Sequence, residues 1–316
     1  MFLWIVIFFI TVNGQTVRVQ SPVAIQGFVY FVCYSYFMKL SQREINYKQP
    51  DLRVLSLGAG VQSSTVLFKM LDDVIPMADV AIFADTGNEP KEVYKYLDYL
   101  KTFMQGVLPI HIVSKSNIIE DALAEKEYGT NKGFLTMPVF GLDKNGKKSL
   151  GRRQCTNDYK IQPIHKEVRK ILNVKSLRGK KVEMVMGIST DEIQRAKVAK
   201  QIWQVNDYPL IELDMSRHDC KHYVSTKNLQ KPPRSACIVC PYHSNEEWQH
   251  LKDNYPTEFK EAVAFDYAIR DVAKEKGIKN YLHSSFIPLD QVNFKKKVTI
   301  YQGSLFDDEC EGICGV

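Results

Sequence analysis

R-V-L-S-L-G-A-G-V-Q-S-S-T-V-L-F-K-M-L spans residues 53 to 71. A short apolar run ends at a glycine, a loop of small residues and serines follows, and apolar residues then recur at helical spacing from about Ser63. That order predicts a buried strand, a tight turn and a helix. Gly58 and Gly60 permit positive φ and a close approach to the backbone. The free N–H groups and the dipole of the following helix point back at the loop. Ser56, Ser63 and Ser64 add hydroxyl donors. The stretch reads as a cradle for a phosphate or sulfate that needs no lysine. The plainer reading is a strand-to-helix turn with a serine cap.

The chain beyond this stretch repeats its pattern. V-A-I-F-A-D-T-G (80–87) reads as a second strand, 90–104 as a helix opening at a proline, and 110–116 as a third strand. Helices follow at 118–126 and 161–172, and V-E-M-V-M-G-I-S (182–189) is a further strand. The alternation predicts an α/β fold, a Rossmann-like parallel sheet flanked by helices. Ligands in such sheets sit at the carboxyl ends of strands. There lie the 56–64 loop and Asp85, Thr86 and Gly87. Residues 128–160 read as a long loop, and a helical region runs from about Asn245 to Lys276 with a break near Pro256. The expected organisation is an apolar extension over 1–50, an α/β nucleotide-binding core over 51–200, and a Cys-rich helical C-terminal region over 201–316 that ends in a mobile tail.

With 316 residues, 45% of them hydrophobic, the chain can bury a substantial core. Its net charge of +6 suits an anionic ligand but equally an ordinary surface. There is no RNA-binding module and no strongly basic stripe, which weighs against direct nucleic-acid binding. Seven cysteines, an odd number with C-x-x-C and C-x-x-x-C spacings, do not read as a secreted disulfide framework. They fit metal or redox chemistry in a reducing, cytoplasmic setting. Residues 1–37 carry two apolar runs, the first too short to span a bilayer and without a basic start. Met38 begins a stretch typical of a soluble start, so 1–37 reads as an upstream extension outside the native product; the alternative is a membrane-associating leader.

The opening loop resembles the phosphate loop of the PP-loop superfamily, which includes ATP pyrophosphatases and phosphoadenosine phosphosulfate (PAPS) reductases. Against the S-G-G-x-D-S-[ST] form of the ATP pyrophosphatases, Gly58 replaces the first Ser and Gln62 the Asp. The reductases carry a G-x-Q form, which G-V-Q at 60–62 matches. A-D-T-G-N-E-P-K-E-V-Y (84–94) is similar to their D-T-G…E-T-Y segment, and D-E-C-E-G-I-C-G near the C-terminus to their E-C-G element. The resemblance covers roughly residues 51 to 316. A neutral Gln can bond an anion without the Mg²⁺ that an Asp beside a triphosphate requires. This tilts the expected ligand from ATP toward PAPS or its unphosphorylated analogue, APS. Arg152, Arg153 and Lys160 beside Cys155, with Pro163 and Ile164, are similar to an Arg- and Cys-bearing segment of the reductases. Ser189, Asp191 and Arg195, at a strand end, are candidates for the same cleft; Asp191 and Glu192 equally suit a helix cap.

Cys237 and Cys240 form a C-x-x-C whose thiolates can reach one metal or cluster, or act as a redox dithiol. Iron–sulfur sulfonucleotide reductases resemble this arrangement but carry a Cys-Cys pair where Thr156 follows Cys155 here. Cys220 is therefore the candidate fourth ligand, and the expected cofactor is a 4Fe–4S cluster, with zinc the alternative and no flavin. The resemblance implies that Cys310 attacks the sulfur of the sulfonucleotide, leaving a thiosulfonate that thioredoxin or glutaredoxin reduces, with Cys314 a resolving thiol. An inert tail or an extra metal-binding pair is the alternative. Two other readings stand beside the reductase: an ATP-dependent PP-loop sulfurtransferase acting on nucleic acid or a small molecule, and a non-catalytic nucleotide-binding subunit.

Overall fold

Side-chain alternation along short strands decides the architecture. The computed structural model describes residues 6–12, 15–21, 49–127, 135–273 and 276–295. Val6–Val12 (β1) and Gln15–Ser21 (β2) pair antiparallel, with Val12 opposite Gln15. From Asp51 onward the chain forms a second unit. In β3 (Leu52–Ser56), Leu52 and Val54 enter one apolar cluster and Leu55 another. The same split separates Val80, Ile82 and Ala84 from Ala81 and Phe83 in the next strand. A strand that buries both sets must lie in a sheet covered on both faces.

That sheet has five parallel strands. After β3 come α1 (Val61–Leu71), β4 (Val80–Asp85), α2 (Lys91–Phe103), β5 (Ile110–Ser114) and α3 (Ile118–Glu127). The chain then forms β6 (Phe140–Asp143), β7 (Lys148–Leu150), a π-helical turn at Thr156–Ile161, α4 (Gln162–Ile171) and β8 (Val182–Met186). A 3₁₀ turn at Thr190–Arg195 leads to β9 (Gln204–Asp207), α5 (Pro209–Glu212), α6 (Arg217–Thr226), α7 (Asn245–Asn254), α8 (Pro256–Ala268) and β10 (Ile278–Tyr281). The strand order is β5-β4-β3-β8-β9. The chain leaves β3 toward β4 on one side, and β8 lies on the other side of β3. Between the carboxyl ends of β3 and β8 the direction of winding reverses, which is where doubly wound sheets open a crevice.

Residues of α1, α2 and α6 cover one face of the sheet, among them Leu67, Tyr96 and Val224. Ile164 and Val168 of α4 cover the other. A third cluster joins α3, α7 and α8 around the fully buried Trp248. Each fully buried large side chain contributes about 1.5–3 kcal/mol from its apolar surface.

Two expectations change. The span 128–160 is not all loop: β6 and β7 pair around a turn at Asn145–Gly146 and join β10 in a separate antiparallel sheet. Strands of four and three residues are too short to show periodicity. Residue 200 is also no break in packing, since β9 extends the main sheet beside β8 and α6 packs on α1. Among the described residues no helix is long and apolar enough to cross a membrane.

Candidate functional site

The loop after β3 is built from backbone. The left-handed residue is Ala59, at φ 58°, not either glycine; Gly60 is extended and precedes α1, which starts at Val61 rather than at Ser63. Ser63 turns its hydroxyl back into the loop, accepting from the Gly58 N–H at 3.2 Å and donating to the Gly60 carbonyl at 3.3 Å. Ser56 and Ser64 are buried, and Ser64 lies beside the Tyr96 hydroxyl. Of the three serines expected to donate to a ligand, one braces the loop and two sit beneath it. The first-turn N–H groups of a helix have no intrahelical partner, and they are the donors such a loop has left.

Gln62 is fully buried and committed to the protein. Its amide nitrogen donates to the Ser189 hydroxyl and to Glu192 Oε2, both at 3.0 Å. Its oxygen accepts from Arg217 at 3.3 Å. Arg195 closes the network by pairing with Glu192 at 2.5 Å. Gln62, Ser189 and Arg195, each expected to line the cleft, thus join the end of β3 to the end of β8. Gly187 makes this join close: a Cβ there would lie 2.6 Å from the Ser63 nitrogen. Glu192, Arg217 and Gly187 were not singled out as binding residues, and nothing local marks them; their contacts with Gln62 and Ser63 span more than 120 positions.

A second set forms at the end of β4. Asp85 accepts from the Gly87 N–H at 2.8 Å and from the Tyr94 hydroxyl at 2.9 Å. Burial and this carboxylate push the Tyr94 phenol well above its ordinary value. Gly87 has φ +72° and packs on the Asn117 backbone, so only glycine fits. The Thr86 hydroxyl donates to Glu89 Oε1 at 3.1 Å and lies 3.1 Å from Cys237 Sγ, while the Cys237 thiol lies 3.7 Å from the same carboxylate oxygen. The Ile238 N–H donates to the Asn88 carbonyl at 2.8 Å. The D-T-G segment and the C-x-x-C segment therefore form one structure, which sequence reading had left as two. Glu89 was the residue missed, although it stands in the quoted D-T-G-N-E-P run.

Thr86, Arg153, Cys155, Lys160, Cys237 and Cys240 border a small cavity of about 30 Å³. The π-helical turn places Cys155 and Lys160 on it together. Such turns recur at functional sites. Lys160 is buried, the Arg153 guanidinium lies 5.3 Å from the centre of the Tyr242 ring, and Arg152 is exposed. The C-x-x-C turn is clamped at the Cys237 carbonyl, which accepts from the Cys240 N–H at 3.0 Å and from His243 Nε2–H at 2.9 Å. His243 rests on Trp248, and burial, with Arg234 nearby, lowers its pKa to about 3, so the ring is neutral.

The expected four-cysteine set does not assemble. Cys220 is fully buried in the α1–α2 cluster, whereas Cys155 packs against the α7–α8 cluster. Helical periodicity in α6 turns Cys220 toward α1, where its carbonyl accepts from Thr65 at 3.5 Å. Among the described residues no group of three or more His, Cys, Asp and Glu side chains is placed to hold a metal ion. A four-thiolate iron–sulfur or zinc site built on Cys220 does not fit this arrangement. Cys310 and Cys314 lie outside the described residues.

No protein-family model and no curated protein matches the chain. Among solved structures, it is similar to a phosphoadenylyl-sulfate (PAPS) reductase from Candida auris, determined as a phosphate complex. The likeness covers 67% of this chain and 91% of that one, at 14% identity and a TM-score of 0.38. An overlap this loose does not carry an activity across.

Proposed function

We propose that the chain is a sulfonucleotide reductase of the PAPS-reductase type, acting on PAPS or APS. One observation carries the reading. The Gly58–Gly60 loop and the α1 N-terminus lie at the switch point of a parallel sheet, one strand away from the D-T-G turn, where free backbone N–H groups would cradle an anion. A phosphosulfate would sit on the first-turn N–H groups, with Arg153 and Lys160 across the adjoining strand end to receive its charge. The Cys310 thiolate would attack the sulfur and the sulfur–oxygen bond to the nucleotide phosphate would break. The nucleotide would leave and a thiosulfonate would stay on the enzyme. Thioredoxin or glutaredoxin would then supply two electrons and release sulfite. The chemistry uses no metal. The neutral Gln62 supports the reading indirectly, because an Asp there would face Glu192 instead of a metal-bound triphosphate.

Anaerobically purified protein tests this with two assays. Sulfite release from PAPS or APS that depends on thioredoxin, without pyrophosphate release from ATP, is the expected result. Cys310→Ser should abolish sulfite release. Pyrophosphate release from ATP that requires nucleic acid or another acceptor would replace the reading with a PP-loop sulfurtransferase. A bound nucleotide with neither product would leave a binding subunit.

A further inference from the structure

We propose that Cys237 and Cys240 form a reversible dithiol–disulfide couple that exchanges with small-molecule disulfides reaching the partly exposed C-x-x-C turn. This goes beyond the reductase reading and needs no nucleotide. Its starting point is the misfit above: the thiols around the cavity are not gathered with Cys220 into a closed four-thiolate set.

Turn geometry permits the bridge. The Cys240 N–H to Cys237 carbonyl bond, at 3.0 Å, closes a four-residue turn. The first and fourth Cα atoms of such a turn lie within about 7 Å. Disulfides form at Cα separations of about 4.4–6.8 Å. His243, fixed against Trp248, holds the same carbonyl from the other side, so the turn is held before reaction. Cys237 and Cys240 both border the cavity and neither is fully buried.

Cys237 is the attacking thiol, because Glu89 Oε1 lies 3.7 Å from its sulfur and can take its proton, and the Thr86 hydroxyl lies 3.1 Å away. Its thiolate attacks one sulfur of the substrate. A protein–substrate disulfide forms, and the other half leaves as a thiolate. Cys240 then attacks Cys237 Sγ, closing the Cys237–Cys240 bond and expelling the second half, with the protons of the two cysteines passing to the two released thiolates. The substrate disulfide is reduced by two electrons and the C-x-x-C pair is oxidised by two.

The full-length protein, reduced and freed of reductant without oxygen, would be exposed to oxidised glutathione, and its remaining thiols alkylated and mapped by mass spectrometry. The expected result is loss of both alkylation tags from the peptide carrying Cys237 and Cys240, reversed by dithiothreitol, while Cys155 and Cys220 stay labelled. Cys240→Ser should trap glutathione on Cys237, and Cys237→Ser should leave Cys240 labelled. The wild-type map stands even if a variant fails to fold. Tags retained on both cysteines, oxidation confined to Cys310 and Cys314, or a tightly held metal ion that blocks oxidation until chelated would each overturn the proposal. Sulfite release is read separately, so failure of one reading leaves the other standing.

Discussion

Gln62 shows how one side chain can hold two strand ends together. Its identity first suggests direct contact with an anion, but its donors go to Ser189 and Glu192 and its acceptor to Arg217. The residue therefore acts on the site by positioning the loop that binds. Glu192 is buried, and its carboxylate depends on donors from Gln62 and Arg195. Gln62→Glu would remove one donor and bring a second carboxylate to the same point. The expected cost is about 2–4 kcal/mol in urea unfolding, and Gln62→Met, which adds no charge, should cost less. A Glu variant as stable as wild type would show that the network does not brace the loop. This residue's type was legible in the sequence and its role was not, because its partners come from residues 189 to 217.

At the scale of elements, the joint between the end of β8 and the start of α1 controls the cradle. Gly187 lies against the Gln62 and Ser63 backbone, so an added methyl meets atoms that cannot rotate away. Gly187→Ala should cost about 1–3 kcal/mol and, by shifting the first turn of α1, weaken binding of PAPS or APS measured by calorimetry. Unchanged affinity in a destabilised variant would separate the joint from the binding turn. Most main-sheet strands and long helices were readable, because they carry clear apolar periods. Capping boxes at Ser216–Asp219 and Ser244–Glu247 start α6 and α7, yet only the second helix, from about Asn245, was expected. β6, β7 and β9 were not readable; their three or four residues gain their order from partners, not from pattern. The π-helical turn was hidden for a similar reason, since no spacing of T-N-D-Y-K-I distinguishes it from an ordinary helical start.

For the whole molecule, buried neutral histidines couple stability to acid. Burial lowers His283 to about 4 and His243 to about 3, against an ordinary 6.5. Below about pH 6.5 the unfolded chain takes up protons that the folded chain refuses. Stability should therefore be full above that pH and fall toward pH 4, by roughly 1.4 kcal/mol per pH unit for each histidine. Burial raises Asp207 and Asp266, which work in the opposite sense because folding then favours their protonated forms as pH falls. Urea midpoints at several pH values between 7 and 4.5 check the net slope. His283→Gln keeps polar atoms near Ser285 and Asn245 and should make that slope shallower. An unchanged slope would show that His283 titrates normally in the folded chain.

Local order alone determined that this chain builds a parallel sheet with a glycine- and serine-rich loop at the carboxyl end of its first core strand. Strand, turn and helix signals act over a few residues, so they survive in the sequence as periods and punctuation. Tertiary structure alone decided what that loop is made of and what surrounds it. It gave the left-handed position to Ala59, turned Gln62 inward, joined Thr86 and Glu89 to Cys237, and kept Cys220 from the other thiols. Those outcomes depend on which faces of distant elements are buried together, and burial is a property of the packed chain that no neighbouring residues encode.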